Sequence, residues 1–313
     1  MSKKTEKVAS ALSPRNILVW CVAQMVLWIS AVLPLTISRA VGRALGWLSF
    51  HAHSRSRSVA EISVGLAYPT LTPRERGTLV QQTLLHSGML AMELGPLWKR
   101  PWRQSQQLIV AVEGRDLITD ALSDGRGVII LAPHLGNWEV IGLHLASCGE
   151  TVALYQRPKI ASLGGLIRKG RQQSGSTLVA TDSRGLARLV RNVKAGGISG
   201  ILPDQVPDDD NAGRNVPFFG IPCFTASLAC NLIRRAEAVA LVGVAYRVPG
   251  GFRVTYRRAE EAVYSDDLEV ALTAMNREVE RSISGYEAQY QWQYKRFRLR
   301  GEPSVNHYRN TKR

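Results

Sequence analysis

One histidine and one glutamate stand at a spacing that is typical of base-assisted chemistry. The stretch GVIILAPHLGNWEVIGLHL places His134 after an aliphatic run and Glu139 five positions later. Five steps along a single helix would turn the two side chains about 140° apart, so they would not meet. With His134 in a turn and Glu139 in the first turn of a helix, the bend at Gly136 and Asn137 brings the imidazole back over the carboxylate.

Such a pair would form a general base. The carboxylate of Glu139, favoured by the positive end of the helix dipole, would hold one imidazole nitrogen of His134 and leave the other free to accept a proton. The neighbouring backbone N–H groups would be available to stabilise an oxyanion. The spacing alone fits equally well a turn histidine followed by an ordinary first-turn acid. It does not favour a metal site, because no His-Glu-x-x-His motif is present.

Short aliphatic runs alternate with helical patterns and predict the scaffold that positions these residues. Strands are predicted at residues 108–112, 128–131, 152–155, 177–180, 198–202, 239–246 and 252–256. Helices are predicted at residues 115–122, 139–146, 163–173, 184–194, 226–235 and 268–283, and another begins after the capping box of Thr72 and Glu75. This alternation predicts an α/β fold with a mainly parallel central sheet flanked by helices, in which active groups collect at the carboxyl ends of strands.

An apolar segment near the amino terminus predicts a hydrophobic membrane-anchor helix. Residues 16–38 carry no charged side chain, and as one helix they would extend roughly 35 Å, enough to cross the hydrocarbon core of a bilayer. No small-x-small cleavage site follows, which favours an anchor over a signal peptide, while a buried hydrophobic helix remains the alternative. The predicted divisions are a basic tail with the anchor at 1–52, a catalytic domain at 53–300 and a basic tail at 301–313.

Charge and cysteine content restrict the partners and the compartment. Forty Lys and Arg against twenty-five Asp and Glu give a formal charge of +15, which favours anionic partners such as phospholipid surfaces or acidic proteins. Nucleic acid is excluded as the partner because no zinc-finger, RNP or helix-turn-helix signature accompanies the charge. No G-x-G-x-x-G follows the first strand, so a dinucleotide enzyme is not indicated. The four scattered cysteines indicate reduced thiols in a catalytic domain that faces the cytoplasm.

Several motifs along the chain resemble, in the same order, those of the bacterial lipid A biosynthesis late acyltransferases, the lauroyl and myristoyl transferases of the glycerolipid acyltransferase superfamily. The APHLGNWE segment is similar to the H-x4-[D/E] signature of that family. The other similar segments are YQRPK, LIRKGRQQSG, LPDQ, NVPFFGIPCFTAS and YEAQYQWQYKRFR. The resemblance spans about residues 14–300 and is much less specific to the lipid or the acyl chain.

The resemblance implies a glycerolipid acyltransferase-like fold at the bacterial inner membrane, held by a single N-terminal anchor. It implies transfer of a fatty acyl group from acyl-carrier protein, or from coenzyme A, to a hydroxyl of a membrane-embedded lipid A precursor, with no cofactor and no metal. A hydroxyl is a poor nucleophile at neutral pH, so a base must remove its proton, and His134 is the candidate, oriented by Glu139. The resemblance also assigns Arg171 to the site as an oxyanion or phosphate contact and Asp204 as a structural or acceptor-orienting carboxylate.

Further residues are candidates for substrate binding. Arg157 and Lys159 follow a predicted strand and are expected at the sheet edge that carries His134, within reach of lipid phosphates. Asn137 in the turn is a third candidate. Arg184 and Arg188 lie four residues apart on a predicted helix, where they form either a docking face for acidic carrier protein or an ordinary solvated face. Two alternatives stay open, namely the same chemistry on another glycolipid or aminolipid and a non-catalytic membrane-tethered binding protein.

Overall fold

A five-stranded central sheet forms the middle of the protein. The computed structural model describes residues 14–156, 158, 160–301, 305–309 and 311. In spatial order the strands are β1 (Ile109–Glu113), β9 (Gly251–Arg258), β8 (Val239–Val248), β2 (Val128–Leu131) and β5 (Ile198–Ile201). Only the β8–β9 pair of this sheet is antiparallel. The structure therefore confirms a mainly parallel sheet, and each predicted strand is present within two residues of its expected ends.

Two smaller sheets flank the central one. Strands β3 (Val152–Tyr155) and β4 (Thr177–Ala180) pair in parallel, and a bridge between Thr151 and Ile198 joins them to the edge strand β5. Strands β6 (Gly213–Phe218) and β7 (Ile221–Ala226) form an antiparallel hairpin. This hairpin is not among the predicted strands. Its two prolines, Pro217 and Pro222, lie directly opposite each other, although proline is disfavoured within sheets.

Helices cover both faces of the central sheet. They are α1 (Pro14–Val32), α2 (Leu35–His51), α3 (Arg55–Ala67), α4 (Pro73–Lys99), α5 (Trp102–Ser105), α6 (Asp116–Ser123), α7 (Trp138–Leu145), α8 (Gly164–Gln172), α9 (Ser183–Lys194), α10 (Leu228–Ala236) and α11 (Leu268–Ile283). Successive residues of β2 point to opposite faces, so Ile129 packs into a core with α10 and α11 while Ile130 packs into a second core with α6 and α7. The β2 strand is therefore buried on both sides.

The apolar amino-terminal segment forms two helices where the sequence predicted one. Helix α1 ends at Val32 and α2 begins at Leu35, because Pro34 offers no backbone N–H and disfavours a helical conformation at Leu33. Within the part of the chain that the structure describes, no helix combines the length and the apolar composition needed to cross a membrane. The single long anchor helix is therefore not confirmed.

Helices α1 and α2 are packed firmly against α4. A methyl group added at Gly88 would approach the carbonyl oxygen of Gly42 to 2.0 Å, so only glycine permits this close crossing of α2 and α4. Arg100, just after α4, donates to the carbonyl oxygens of Ala31 at 2.6 Å and Leu33 at 2.8 Å and thereby satisfies the end of α1. The amino-terminal helices thus belong to the same packed unit as the sheet, and their outward side remains exposed.

Candidate active site

His134 and Asp204 lie side by side at the carboxyl edge of the central sheet. Strands β2 and β5 are parallel neighbours, and their last residues, Leu131 and Ile201, are aligned in register. His134 follows the end of β2 by three residues and Asp204 follows the end of β5 by three residues. Because both residues lie three positions beyond aligned strand ends, their side chains meet at the carboxyl edge of the sheet. Active sites of α/β folds are usually found at this edge.

The imidazole of His134 is held by hydrogen bonds on both nitrogens. Its Nδ1 lies 2.7 Å from Oδ1 of Asp204, and the backbone N–H of His134 donates to Oδ2 of the same carboxylate at 2.8 Å. The side-chain amide nitrogen of Gln205 lies 3.0 Å from Nε2. Since a carboxylate only accepts, the proton of the neutral imidazole is on Nδ1, and Nε2 carries the lone pair of a base.

Asp204 is kept ionised in a buried position. Burial by itself would raise the pKa of its carboxyl, but the charge of His134, the two hydrogen bonds from His134 and the charge of Arg296 together hold that pKa below its usual value. Burial, followed by the nearby Asp204 carboxylate, raises the pKa of Tyr290 well above its usual value, so Tyr290 remains a neutral phenol. The result is a fixed negative charge that lies against Nδ1 of the imidazole.

The expected pairing of Glu139 with His134 is wrong. Helix α7 begins at Trp138, so Glu139 does lie in its first turn as predicted, but its carboxylate bonds to Arg171 of α8. The distances are 2.5 Å from Nη2 to Oε1 and 3.0 Å from Nε to Oε2. Asp204, not Glu139, holds the imidazole, because Asp204 follows a strand that lies directly beside β2. Glu139 is closer to His134 along the chain, but its carboxylate bonds to Arg171.

Glu139 and Arg171 form a second polar pair within the same region. The side chain of Glu139 is 6% exposed and that of Arg171 is 34% exposed. Partial burial favours neutral arginine, but the Glu139 carboxylate outweighs this effect and raises the pKa of Arg171 above its usual value. Two nitrogens of the Arg171 guanidinium, Nε and Nη2, donate to the carboxylate of Glu139. The pair therefore fixes the plane of a permanent cation whose third nitrogen, Nη1, is left for another partner.

The backbone of the turn offers no free oxyanion donor between residues 134 and 137. Each of these four N–H groups donates to an oxygen of the protein, the acceptors being Asp204, Pro133, Gln289 and Ala245. The sequence-based expectation that neighbouring N–H groups form an oxyanion hole is therefore not met by these residues. Arg171 is the cation that remains available for that role.

Buried polar contacts behind the turn fix its shape. Gly136 has a φ of 59°, and a Cβ added there would approach the carbonyl oxygen of Ala245 to 2.1 Å, so this position requires glycine. The amide of Asn137 donates to Glu93 at 2.9 Å, and Glu93 also accepts from Arg39 at 2.7 Å and from Arg247 at 2.8 Å. Asn137 is fully buried, so we interpret it as a residue that positions the turn, instead of the substrate contact expected from the sequence.

A mainly apolar pocket opens beside the Glu139–Arg171 pair. Its cavity volume is about 70 Å³, and the wider space not filled by atoms, which includes open solvent, is about 620 Å³. Trp138, Glu139 and Arg171 lie at its polar part, and the ring centroid of Trp138 is 4.7 Å from that of His134. The remaining lining includes Ile141, Gly142, Leu143, Leu154, Leu178 and Leu202. A hydrocarbon chain fits such a lining, because the apolar walls cannot satisfy polar ligand atoms.

Of the other predicted binding residues, Arg184 and Arg188 do not line this pocket. Arg157 and Lys159 lie outside the described residues. Arg184 and Arg188 are exposed on α9 and take part in none of the ion pairs among the described residues. Their proposed contact with an acidic protein stays a prediction. Gln205, in contrast, was not singled out from the sequence, although its place next to Asp204 in LPDQ was a signal.

Taken together, these groups can carry out a proton-coupled transfer of an acyl group. The Asp204–His134 pair supplies a base whose Nε2 lies against the side chain of Gln205, Arg171 supplies a cation, and the pocket supplies an apolar compartment. A hydroxyl that reaches Nε2 can lose its proton while it attacks a carbonyl carbon.

Comparison with known proteins adds an independent line of support. The sequence profile of the family described as bacterial lipid A biosynthesis acyltransferase matches residues 4–299. The chain is 25% identical to the lipid A biosynthesis palmitoleoyltransferase of Escherichia coli K12 over 300 residues, which cover 94% of this chain and 96% of that protein. It is also 25% identical to the lipid A biosynthesis lauroyltransferase of the same organism, over 95% and 96% of the two chains. A Haemophilus influenzae lipid A biosynthesis acyltransferase is 26% identical over 92% and 93%.

Proposed function

Because the chain belongs to the bacterial lipid A biosynthesis acyltransferase family and is therefore an acyltransferase, we propose that it transfers a fatty acyl group from acyl-carrier protein to a hydroxyl of a membrane-embedded lipid A precursor. The observation that carries this proposal is the Asp204–His134 pair, whose imidazole lies against Trp138, a residue that lines the apolar pocket. Late acylation in lipid A biosynthesis agrees with the names of the relatives. Coenzyme A as the donor remains the alternative to acyl-carrier protein.

In this mechanism His134 acts first as a base and then as an acid. As the acceptor hydroxyl oxygen attacks the thioester carbonyl carbon, its proton passes to Nε2 of His134, and Asp204 stabilises the imidazolium. The tetrahedral intermediate collapses when the carbon–sulfur bond breaks, and the proton on Nε2 passes to the departing sulfur. The products are an ester and a thiol, and no acyl-enzyme intermediate is needed.

Arg171 is suited to stabilise the negative oxygen of the intermediate. Its guanidinium is fixed by Glu139 through Nε and Nη2 and lines the apolar pocket. A cation aimed in advance at the developing charge in a dry site lowers a barrier by about 2.7–4 kcal/mol per donor in comparable enzymes. Glu139 thus supports the reaction by holding Arg171 in place. This role replaces the expected one, in which Glu139 orients His134.

Mass spectrometry of the acceptor tests the proposed function directly. The purified full chain in detergent is offered acyl-carrier-protein thioesters of several chain lengths together with a lipid A precursor. We expect a product heavier by one acyl group and stoichiometric release of carrier thiol. If the thioester is consumed only with another glycolipid or an aminolipid as acceptor, the acceptor assignment is wrong. If no acceptor gains mass from either an acyl-carrier-protein or a coenzyme A thioester, the transferase proposal fails.

The apolar pocket is the candidate compartment for the acyl chain of the donor. Gly142 of α7 lines this pocket, and a Cβ built on it meets no atom within 4 Å. The position therefore has room for a side chain, and a larger one there is expected to occupy part of the pocket. The depth of the pocket, and with it the acyl length that the enzyme accepts, would then become shorter.

We expect Gly142→Leu to shift the donor preference toward shorter acyl chains. The kcat/KM for the longest accepted donor should fall roughly tenfold or more relative to a shorter donor, as is usual when apolar groups of a substrate lose their place. Competition between two acyl-carrier-protein donors in one reaction measures this ratio. Gly77→Leu is the control, since Gly77 is also helical and has open space around its Cβ. An unchanged ratio in Gly142→Leu would place the acyl chain elsewhere.

The outward side of α1 and α2 is the proposed membrane contact. Of the eighteen exposed large apolar side chains in the described part of the chain, thirteen lie on these two helices. Trp28 is 57% exposed and carries the ammonium group of Lys99 at 5.0 Å from its ring, a mixture typical of the bilayer interface. We interpret the pair of helices as lying against the membrane surface, where the formal charge of +15 favours anionic lipids.

A charge-introducing double variant tests this surface. Val32 and Leu48 are 75% and 55% exposed, so Val32→Glu with Leu48→Glu should leave the fold unchanged. We expect flotation with anionic phospholipid vesicles to drop by roughly tenfold or more, since each apolar side chain contributes about 1.5–3 kcal/mol when buried. The control is Val110→Glu with Val270→Glu, two exposed positions on other elements. Equal flotation of the test and control variants would place the contact elsewhere.

A further inference from the structure

The amide of Gln205 occupies the position that the acceptor hydroxyl must take. A general base acts on a hydroxyl whose oxygen lies within about 2.6–3.2 Å of the basic nitrogen. The side-chain nitrogen of Gln205 is 3.0 Å from Nε2 of His134. Because Nδ1 donates to Asp204, Nε2 holds its lone pair toward Gln205, and the amide N–H donates to it. The base and the acceptor therefore cannot meet while Gln205 stays in place.

Only the side chain of Gln205 has to move to free the base. The residues on either side are held in place, because the carboxylate of Asp204 accepts from the N–H of His134 and the backbone N–H of Val206 donates to the hydroxyl of Tyr294 at 2.8 Å. Gln205 itself is exposed, whereas Asp204 and Val206 are buried. Among the described residues its side chain makes a single hydrogen bond, the one to His134. An incoming hydroxyl can replace that neutral bond with an equivalent one of its own.

We propose that Gln205 is a gate that keeps water away from His134 until the acceptor hydroxyl displaces it, and thereby suppresses hydrolysis of the acyl donor. This inference rests on the proposed acyl transfer. An amide N–H is far too weak an acid to lose its proton to an imidazole, so Gln205 occupies the lone pair of Nε2 without reacting. Water at the same position would lose its proton to Nε2 in the same way as a hydroxyl.

The reaction that the gate suppresses is simple to write. The oxygen of water attacks the thioester carbonyl carbon while its proton passes to Nε2 of His134. The carbon–sulfur bond then breaks, and the proton on Nε2 passes to the sulfur. A carboxylic acid and the thiol of the carrier are released, so each turnover consumes a donor without acylating a lipid. A gate opened by the acceptor itself ties use of the donor to the presence of an acceptor.

The ratio of hydrolysis to transfer tests the gate. The full chain is incubated with lauroyl-acyl-carrier protein without acceptor, and thiol release is followed; transfer is measured with the lipid A precursor present. For Gln205→Ala we expect acceptor-independent hydrolysis to rise roughly tenfold, the factor associated with one neutral hydrogen bond, and transfer to change by a smaller factor. Gln205→Asn, whose shorter amide falls short of Nε2, should behave in the same way. Gln107→Ala, at an exposed glutamine before β1, is the control.

A double variant shows whether the added hydrolysis in Gln205→Ala depends on His134 as the base. In Gln205→Ala with His134→Asn the added hydrolysis should disappear, because no base is left to be exposed. A Gln205→Ala protein with an unchanged ratio of hydrolysis to transfer overturns the gate. So does a parallel fall of both rates, which would make Gln205 a stabiliser of the transition state. These results leave the proposed function standing if the native protein transfers an acyl group, whereas a native protein that transfers none refutes both proposals.

Discussion

We expect His134→Asn to lower the rate of acyl transfer by roughly 10²- to 10⁴-fold, the range that a positioned general base contributes. Asparagine cannot accept the proton of a hydroxyl at neutral pH, but its amide can still donate to the carboxylate of Asp204, which His134 holds at 2.7 Å. The buried acid thus keeps a donor, and the fold should be preserved. Transfer is measured by mass spectrometry of the lipid acceptor, and folding by circular dichroism and urea titration.

The matched control for this variant is His53→Asn. His53 is exposed and has a φ of 49°, a conformation that asparagine tolerates well. Its transfer rate and its binding to vesicles should equal those of the native protein. Full activity of His134→Asn would contradict the base assignment and would favour a non-catalytic membrane-tethered protein. Loss of both activity and folding would instead show that His134 has a structural role.

The second large effect is expected for Asp204→Asn. Through its own N–H₂ group the new amide would donate to Nδ1 of His134, which forces the imidazole proton onto Nε2 and removes the lone pair that accepts the hydroxyl proton. The comparable exchange in a Ser-His-Asp triad lowers kcat about 10⁴-fold for this reason, and we expect a loss of roughly 10³-fold or more. Asp208→Asn, an exposed acid on the same loop, should retain full activity.

The same variant should change how stability depends on pH. Because the folded protein holds the pKa of Asp204 below its usual value, ionised Asp204 stabilises the fold above the unfolded pKa of about 3.9, and this contribution is lost as pH falls through the folded pKa. Asp204→Asn lacks the contribution, so its unfolding free energy should fall less steeply below pH 4 than that of the native protein. Urea titrations across that range measure the difference. Parallel curves would contradict the depressed pKa.

Glu139→Gln separates the two acids of the site. Glu139 accepts from Arg171 and makes no hydrogen bond to His134, so its replacement should leave the tautomer of the imidazole unchanged. The sequence pointed to the opposite arrangement because the H-x4-E spacing is visible along the chain, whereas the seventy positions that separate His134 from Asp204 are not. Both acids are site residues predicted from the sequence, but the sequence gives His134 as the partner of Glu139, whereas in the structure His134 bonds to Asp204.

Local features of the fold were visible in the sequence because they depend on neighbouring residues. Strand β2 and helix α7 were predicted from apolar periodicity, which requires only a few consecutive residues. The hairpin of β6 and β7 was missed, since Pro217 and Pro222 conceal a strand pattern that the surrounding packing overrides. Pro34 had the converse effect: it divides the apolar amino-terminal segment into α1 and α2, although the absence of charge suggested one helix.

The α/β scaffold, the turn that carries His134 and the sheet edge where it lies all follow from the pattern of residues along the chain. The bonds of Asp204 and Gln205 to the two imidazole nitrogens, and that of Glu139 to Arg171, appear only in the folded protein. Hydrophobic periodicity specifies which residues of a strand face inward, but it carries no information on which strand lies beside it. One neighbour of β2 is β5, three strands further along the chain, and that long-range pairing creates the site.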